Sequence, residues 1–221
     1  MKITKKRNFY LIIIILAFLV GCLFMNPPKA YYDKDFNITF IKSSLDYNNN
    51  KRDDFTDILE GAKKEAKRHP KYKSKYYSGG YPPKTEGVCT DVIWRALKNA
   101  GYNLKDLIDE DIKNNINDYP RVANKQDKNI DFRRVLNLKV YFDKYLEKHS
   151  NNPYNFSDFQ AGDIVIFKTK HIGIISDKRN KKGISYIIHN AGQFNFEEDT
   201  LLKWDEKYPI SGHYRWNFKG E

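Results

Sequence analysis

An α+β fold is what this sequence predicts, with helices in its first half and a small antiparallel sheet in its second. Apolar residues recur at helical spacing four times before residue 147, and after Pro153 the pattern changes to short β-branched runs separated by turns. Helices segregated from strands along the chain mark α+β rather than alternating α/β architecture. With 221 residues, 40% of them hydrophobic and with 16 Tyr and 14 Phe, the chain can bury one core and has no room for a second catalytic domain.

The first segment stands outside that fold. Phe9 to Met25 is an uninterrupted apolar run behind Lys2, Lys5, Lys6 and Arg7, the pattern of an export signal or signal anchor. Its length reaches the lower limit for a bilayer span, and the preceding cations place the remainder of the chain outside the cytoplasm. Residues 1–25 are therefore expected to hold the chain at the cell membrane as a single-pass anchor with an extracytoplasmic domain. Leu19-Val20-Gly21-Cys22 offers the alternative of a lipoprotein acylated at Cys22, although Leu23, Phe24 and Met25 prolong the apolar run past that point. Residues 26–50, with Pro27, Pro28 and Asn48-Asn49-Asn50, read as a linker, and residues 51–219 as the domain.

Within the domain, Phe55, Ile58, Leu59, Ala62 and Ala66 behind Asp53 and Asp54 predict a first helix that ends near Pro70. A loop rich in Tyr, Gly and Pro spans Tyr76 to Gly87. Val88, Val92, Ile93, Ala96, Leu97 and Ala100 form the apolar face of a second helix that Gly101 terminates. Leu104 to Ile112 and Val135 to Leu146 supply a third and a fourth. Strands are expected at Asp163–Phe167, Ile172–Ser176, Ile184–His189 and His213–Phe218.

The formal charge of +11 makes anionic partners the natural ones, and the lysines are scattered without an aromatic-spaced stripe, which argues against nucleic acid. An anionic cell-wall polymer such as peptidoglycan fits better, beside the membrane contact of the N-terminal helix, and a monomer is expected.

One of the two cysteines lies in the apolar segment, so Cys89 in the domain is a free thiol. It falls in the first turn of the second helix, where free N–H groups and the positive dipole end favour a thiolate. His171 opens a strand after a tight turn and is placed to act as its base. The next strand ends on His189 and Asn190, which point to opposite faces; the one sharing the face of the His171 ring would orient it, with His189 preferred. Tyr76, Tyr77, Asp91, Arg134 and Asn190 are candidates for the walls of a substrate groove. A metal site built from Cys89, His171, His189 and Asp163 or Asp177 lacks any metal-binding spacing, and neither a P-loop nor a GxGxxG occurs, so no metal and no cofactor are expected.

These residues resemble a known family, the bacterial domain of unknown function 1287, a branch of the NlpC-like papain-fold cysteine peptidases and amidases. The resemblance is carried by Tyr76-Tyr77-Ser78-Gly79-Gly80, Gly87-Val88-Cys89-Thr90-Asp91-Val92, Asn129-Ile130-Asp131, Ala161-Gly162-Asp163-Ile164-Val165, His171-Ile172-Gly173-Ile174-Ile175-Ser176-Asp177, Ile187-Ile188-His189-Asn190 and Gly212-His213-Tyr214-Arg215. It implies a papain-like NlpC-type fold in which a nucleophile helix bearing Cys89 packs on a small antiparallel sheet that carries His171 and His189. It further implies cysteine amidase or peptidase activity, with the amide bonds of peptidoglycan stem peptides as substrate. A thiol acyltransferase or lipid deacylase on the same scaffold, and a non-catalytic cell-wall-binding module, are the alternatives.

Overall fold

The computed structural model describes Tyr10 and residues 12–15, 29–122 and 125–217. The chain divides into residues 1–30 and the unit Tyr31–Glu221. In the first, Tyr10 and residues 12–15 are helical; the rest of the expected anchor, including Cys22, lies outside the described residues. Among the described residues no helix is long and apolar enough to cross a membrane.

The second unit is α+β. Its helices are α1 (Asp54–Arg68), α2 (Cys89–Asn99), α3 (Leu104–Asn114), α4 (Val135–Tyr145) and α5 (Leu201–Lys207). Its main strands are β5 (Ile164–Phe167), β6 (His171–Arg179), β7 (Ser185–Ile188) and β9 (Ile210–Arg215), joined by the two-residue strands β1 (Tyr31–Tyr32), β4 (Glu147–Lys148) and β8 (Glu197–Glu198). The sheet runs β4-β9-β5-β6-β7-β8, with β1 added to the far end of β6, and every pairing in it is antiparallel. A separate parallel pair joins β2 (Lys71–Tyr72) to β3 (Glu86–Gly87), just ahead of α2.

The helix boundaries follow local chemistry. Asp53 caps α1 by accepting the Thr56 N–H at 3.2 Å, and His69 in the left-handed region, followed by Pro70, ends it. At the end of α2 the Gly101 N–H reaches the Lys98 carbonyl and the Tyr102 N–H the Leu97 carbonyl, the paired bonds of a Schellman motif, which Gly101 permits with φ +94°.

The sheet is buried on both faces, which is why its strands read as continuous apolar runs. Ile164, Ile166, Ile172, Ile174 and Ile188 pack beneath the helices in the main core. Val165, Phe167, Ile175 and Ile187 form a second core with Phe159, Leu201 and Ile210, covered by α5. On this far side Asp163 holds Arg215 through two charge-assisted bonds of 2.8 and 2.9 Å and His213 at 3.0 Å, fixing β9 against β5.

The α1–α2 contact depends on Gly61. A β-carbon there would lie 2.7 Å from Asn99 Cβ and 2.8 Å from the Ala96 backbone. Gly61→Ala is therefore expected to lower stability by roughly 1–3 kcal/mol through overpacking, despite the better helix propensity of alanine. Urea denaturation monitored by far-UV circular dichroism measures it.

The structure corrects the linker expected over residues 26–50. From Tyr31 onward this stretch belongs to the folded unit: β1 pairs with Lys178 and Arg179 of β6, and Asp33 meets the buried Arg179 guanidinium. Asn48 donates to Asp57 and to the Asn99 carbonyl, while the Tyr47 and Ser43 N–H groups bond the Asp54 and Asp53 carboxylates at the start of α1. Asn48 and Asn50, of the Asn run that suggested a flexible spacer, are hydrogen-bonding partners of α1 and α2. Composition alone does not distinguish these two uses.

Candidate active site

Strand β3 delivers the chain into the extended residue Val88, whose N–H bonds Asp91 Oδ2 at 2.7 Å, and the helix begins at Cys89. The cysteine is 9% exposed. Backbone N–H groups of Ile172 and Thr90 face its sulfur and favour its ionised form. The N–H of Ile172 is available because β6 and β7 part there. Pairing runs through Ile175↔Ile187 and Ile174↔Ile188, after which the His189 N–H turns to the Phe196 carbonyl at 2.9 Å. Since the Ile175 N–H points to Asp163 on the β5 side, those of Ile174 and Ile172 point towards β7, and at Ile172 the thiol takes the place of a strand partner.

The residue before Ile172 is His171, 4% exposed. Its Nε2 lies 2.8 Å from Nδ1 of His189, itself 1% exposed. Trp204 of α5 stacks on the His171 ring with centroids 3.9 Å apart and planes 12° from parallel, and meets the His189 ring edge-on at 5.6 Å. No hydrogen bond joins Cys89 to His171: strand alternation sets the His171 and His189 side chains with Phe167 and Trp204, whereas Ile172 faces the helices. The sulfur therefore contacts the strand one residue along from His171, and the Nδ1 edge of that imidazole makes no hydrogen bond among the described residues.

Electrostatics corrects the expectation of a thiol acidified by the helix start. Burial pushes Cys89 up to about 11, outweighing the backbone N–H groups that act in the opposite direction. Burial lowers His171 to about 3, helped by His189, and lowers His189 to about 4. The resting site holds a neutral thiol and two neutral imidazoles.

Both histidines make stability depend on pH. Their folded pKa values lie below the ordinary 6.5, so their contribution is complete above about pH 6.5 and is lost as pH falls towards 4 and 3, where only the unfolded chain binds the protons readily. The urea midpoint of the wild-type protein is expected to fall between pH 6.5 and 4 more steeply than that of His189→Asn, and equal slopes would contradict the buried neutral pair.

The remaining predicted residues separate by role. Asn190 is buried and points away from His171, donating to the carbonyls of Gly87 and Pro70; of the two neighbours it is His189 that contacts the His171 ring. Asp91, expected in a substrate groove, is 1% exposed and fully engaged by Val88, Trp94 and a bidentate Arg133. It caps α2 and is closed to solvent. Tyr77 bonds Glu86 beneath the Arg133 guanidinium. Tyr76 and Arg134 do share a cleft, about 520 Å³ and lined also by Arg121, Lys125 and Lys128, but none of Cys89, His171 and His189 lines it.

A different cleft, about 540 Å³, is likewise not lined by Cys89, His171 or His189, but two of its wall residues reach towards them. Tyr72 forms one wall and lies within electrostatic reach of the sulfur: its pKa is raised, first by burial and then by Cys89. Gln193 and the 88% exposed Phe194 form the other, and Gln193 Nε2 bonds the His189 carbonyl at 2.9 Å. Tyr72, Gln193 and Trp204 are not marked by the sequence. Each reaches the site through long-range packing, and none carries a local spacing signal that could have revealed it. Among the described residues no cluster of His, Cys, Asp and Glu is arranged to hold a metal ion; Asp163 and Asp177 are engaged by Arg215 and Lys63.

The fold and site thus define an α+β domain in which a helix-start cysteine and a histidine pair meet where two central strands part. Residues 59–216 match the family described as Domain of unknown function (DUF1287), and the chain belongs to it. It is 39% identical over 156 residues to the Escherichia coli (strain K12) "Uncharacterized protein YijF", an alignment covering 68% of this chain and 74% of that protein. No solved structure matches it.

Proposed function

We propose that the protein is a membrane-tethered extracytoplasmic cysteine amidase or peptidase of papain-like NlpC type that hydrolyses amide bonds of peptidoglycan stem peptides. The observation that carries this reading is the 2.8 Å contact between His171 Nε2 and His189 Nδ1, one residue from the strand N–H that faces the Cys89 sulfur. On this reading the Nδ1 edge of His171, not hydrogen-bonded to the sulfur in the resting structure, takes the thiol proton once substrate enters, the thiolate attacks the amide carbonyl, and the imidazolium returns the proton to the leaving amine. Water, deprotonated by the same imidazole, then releases the acyl group from sulfur. Tyr72 and Gln193, flanking this second cleft, are the side chains nearest to an entering peptide. The net positive charge of the chain suits an anionic wall.

The test incubates purified protein with peptidoglycan and identifies released fragments by mass spectrometry beside Cys89→Ser. New termini at amide bonds, absent with the variant, are the expected result, and equal release by both proteins removes the assignment.

A wall-binding module without turnover is the second reading, favoured by the buried Cys89 thiol at about 11 and by the missing Cys89–His171 hydrogen bond. The pH dependence of iodoacetamide alkylation separates the two. A rate still climbing at pH 10 in the presence of peptidoglycan fits the module, and a plateau at or below neutral pH fits an activated nucleophile.

A further inference from the structure

Two neutral imidazoles 2.8 Å apart share one hydrogen bond, and only one of the two ways of making it leaves a usable base. If His171 Nε2 carries the proton and donates, His171 Nδ1 keeps its lone pair and His189 must carry its proton on Nε2. If His189 Nδ1 donates instead, His171 is protonated on Nδ1 and cannot accept a proton from sulfur. The choice is made on the far side of His189, at its Nε2.

Three groups approach that nitrogen. Glu198 Oε2 lies 3.8 Å away, Thr200 Oγ1 3.4 Å and Gln193 Nε2 3.4 Å, the last equally far from Nδ1 and so unable to choose between the two nitrogens. The Gln193 amide is already oriented, its Oε1 accepting the Ala191 N–H at 2.6 Å and its Nε2 donating to the His189 carbonyl. Thr200 can donate or accept and is indifferent to the tautomer. Glu198 is not indifferent: a carboxylate attracts an N–H and repels a lone pair. Its position is set by register, since Glu198 of β8 pairs with Ile187, two residues from His189 and on the same face of β7. Lys203 is the cation acting on Glu198, and the neighbouring Glu197 points away to Ser176 and Lys178.

We infer that Glu198 is a positioning residue that holds His189 in its Nε2–H tautomer, thereby fixing His171 as the Nε2–H donor with a free Nδ1. The assigned chain is Cys89, His171, His189, Glu198. When His171 takes the thiol proton, the positive charge forms on an imidazolium whose Nε2–H already points to His189, with the carboxylate beyond. No proton leaves Glu198 or reaches it. The chemical consequence rests on the reading of Cys89 and His171 as the reacting pair; the tautomer does not.

Full-length protein labelled with ¹⁵N-histidine tests this without a substrate. Long-range ¹H–¹⁵N correlation at pH 7 reports which ring nitrogen carries the proton, and His189→Asn identifies the His189 signals. In the wild type both His171 and His189 are expected as Nε2–H tautomers. Glu198→Gln, which removes the charge at constant shape on a partly exposed edge strand, is expected to shift His189 severalfold towards Nδ1–H, and Glu198→Asp to restore Nε2–H. A wild-type His189 protonated on Nδ1, or populations unchanged in Glu198→Gln, overturns the inference. Expected tautomers together with peptidoglycan fragments that do not depend on Cys89 would defeat the hydrolase reading and leave this one standing.

Discussion

On the proposed hydrolase reading, Cys89→Ser and His171→Ala are each expected to reduce release of peptidoglycan fragments by roughly 10³-fold or more, with the double variant no slower than the worse of the two. A hydroxyl in place of the thiol is a far weaker acid, and nothing at the start of α2 compensates for that, because the backbone N–H groups there do not outweigh burial even for sulfur. Without His171 no imidazole stands beside the strand N–H that faces the sulfur. Residues that act as one unit give non-additive losses, whereas independent contributions would multiply. Initial rates of fragment release for the four proteins measure the effect. Multiplicative losses would mean that Cys89 and His171 do not share a step. His189→Asn is expected to retain more activity than His171→Ala, because it removes the ring that orients the base and leaves the base itself.

Asp91→Ala acts on stability rather than turnover, with an expected loss of about 3–5 kcal/mol. The carboxylate accepts both Arg133 Nε at 2.8 Å and Nη2 at 2.9 Å, the Trp94 indole N–H at 2.7 Å and the Val88 N–H at 2.7 Å, all away from solvent. Removing it strands a buried guanidinium and uncaps the helix that carries Cys89. In a domain of this size the loss corresponds to a fall in Tm of roughly 6–20 °C. The double variant Asp91→Ala/Arg133→Ala should recover part of that fall, since the stranded charge is gone. A thermal melt of Asp91→Ala that matches the wild type would return this residue to the substrate groove that the sequence suggests for it.

The helices are legible because their signals are local. Asp53 before Phe55, the spacing of Val88, Val92, Ile93, Ala96 and Leu97, and the Gly101 stop all act within a turn or two of chain. The central strands are legible because an apolar run such as Ile164-Val165-Ile166-Phe167 suits a sheet covered on both faces. The two-residue strands, helix α5 and the packed course of residues 31–50 are not. Two-residue strands have no period to detect, and a polar segment that folds onto the surface has the same composition as one that does not.

The sequence by itself determined the architecture, the position of Cys89 at a helix start and the parity that sets His189 and Asn190 on opposite faces, because each follows from a periodicity carried by neighbouring residues. Tertiary structure alone decided that His189 contacts His171, that Trp204 stacks on it and that Asp91 turns inward to Arg133. It decided also the charge state of the site. A pKa depends on how much water the fold removes and on what stands a few ångströms away, and both are properties of residues distant along the chain.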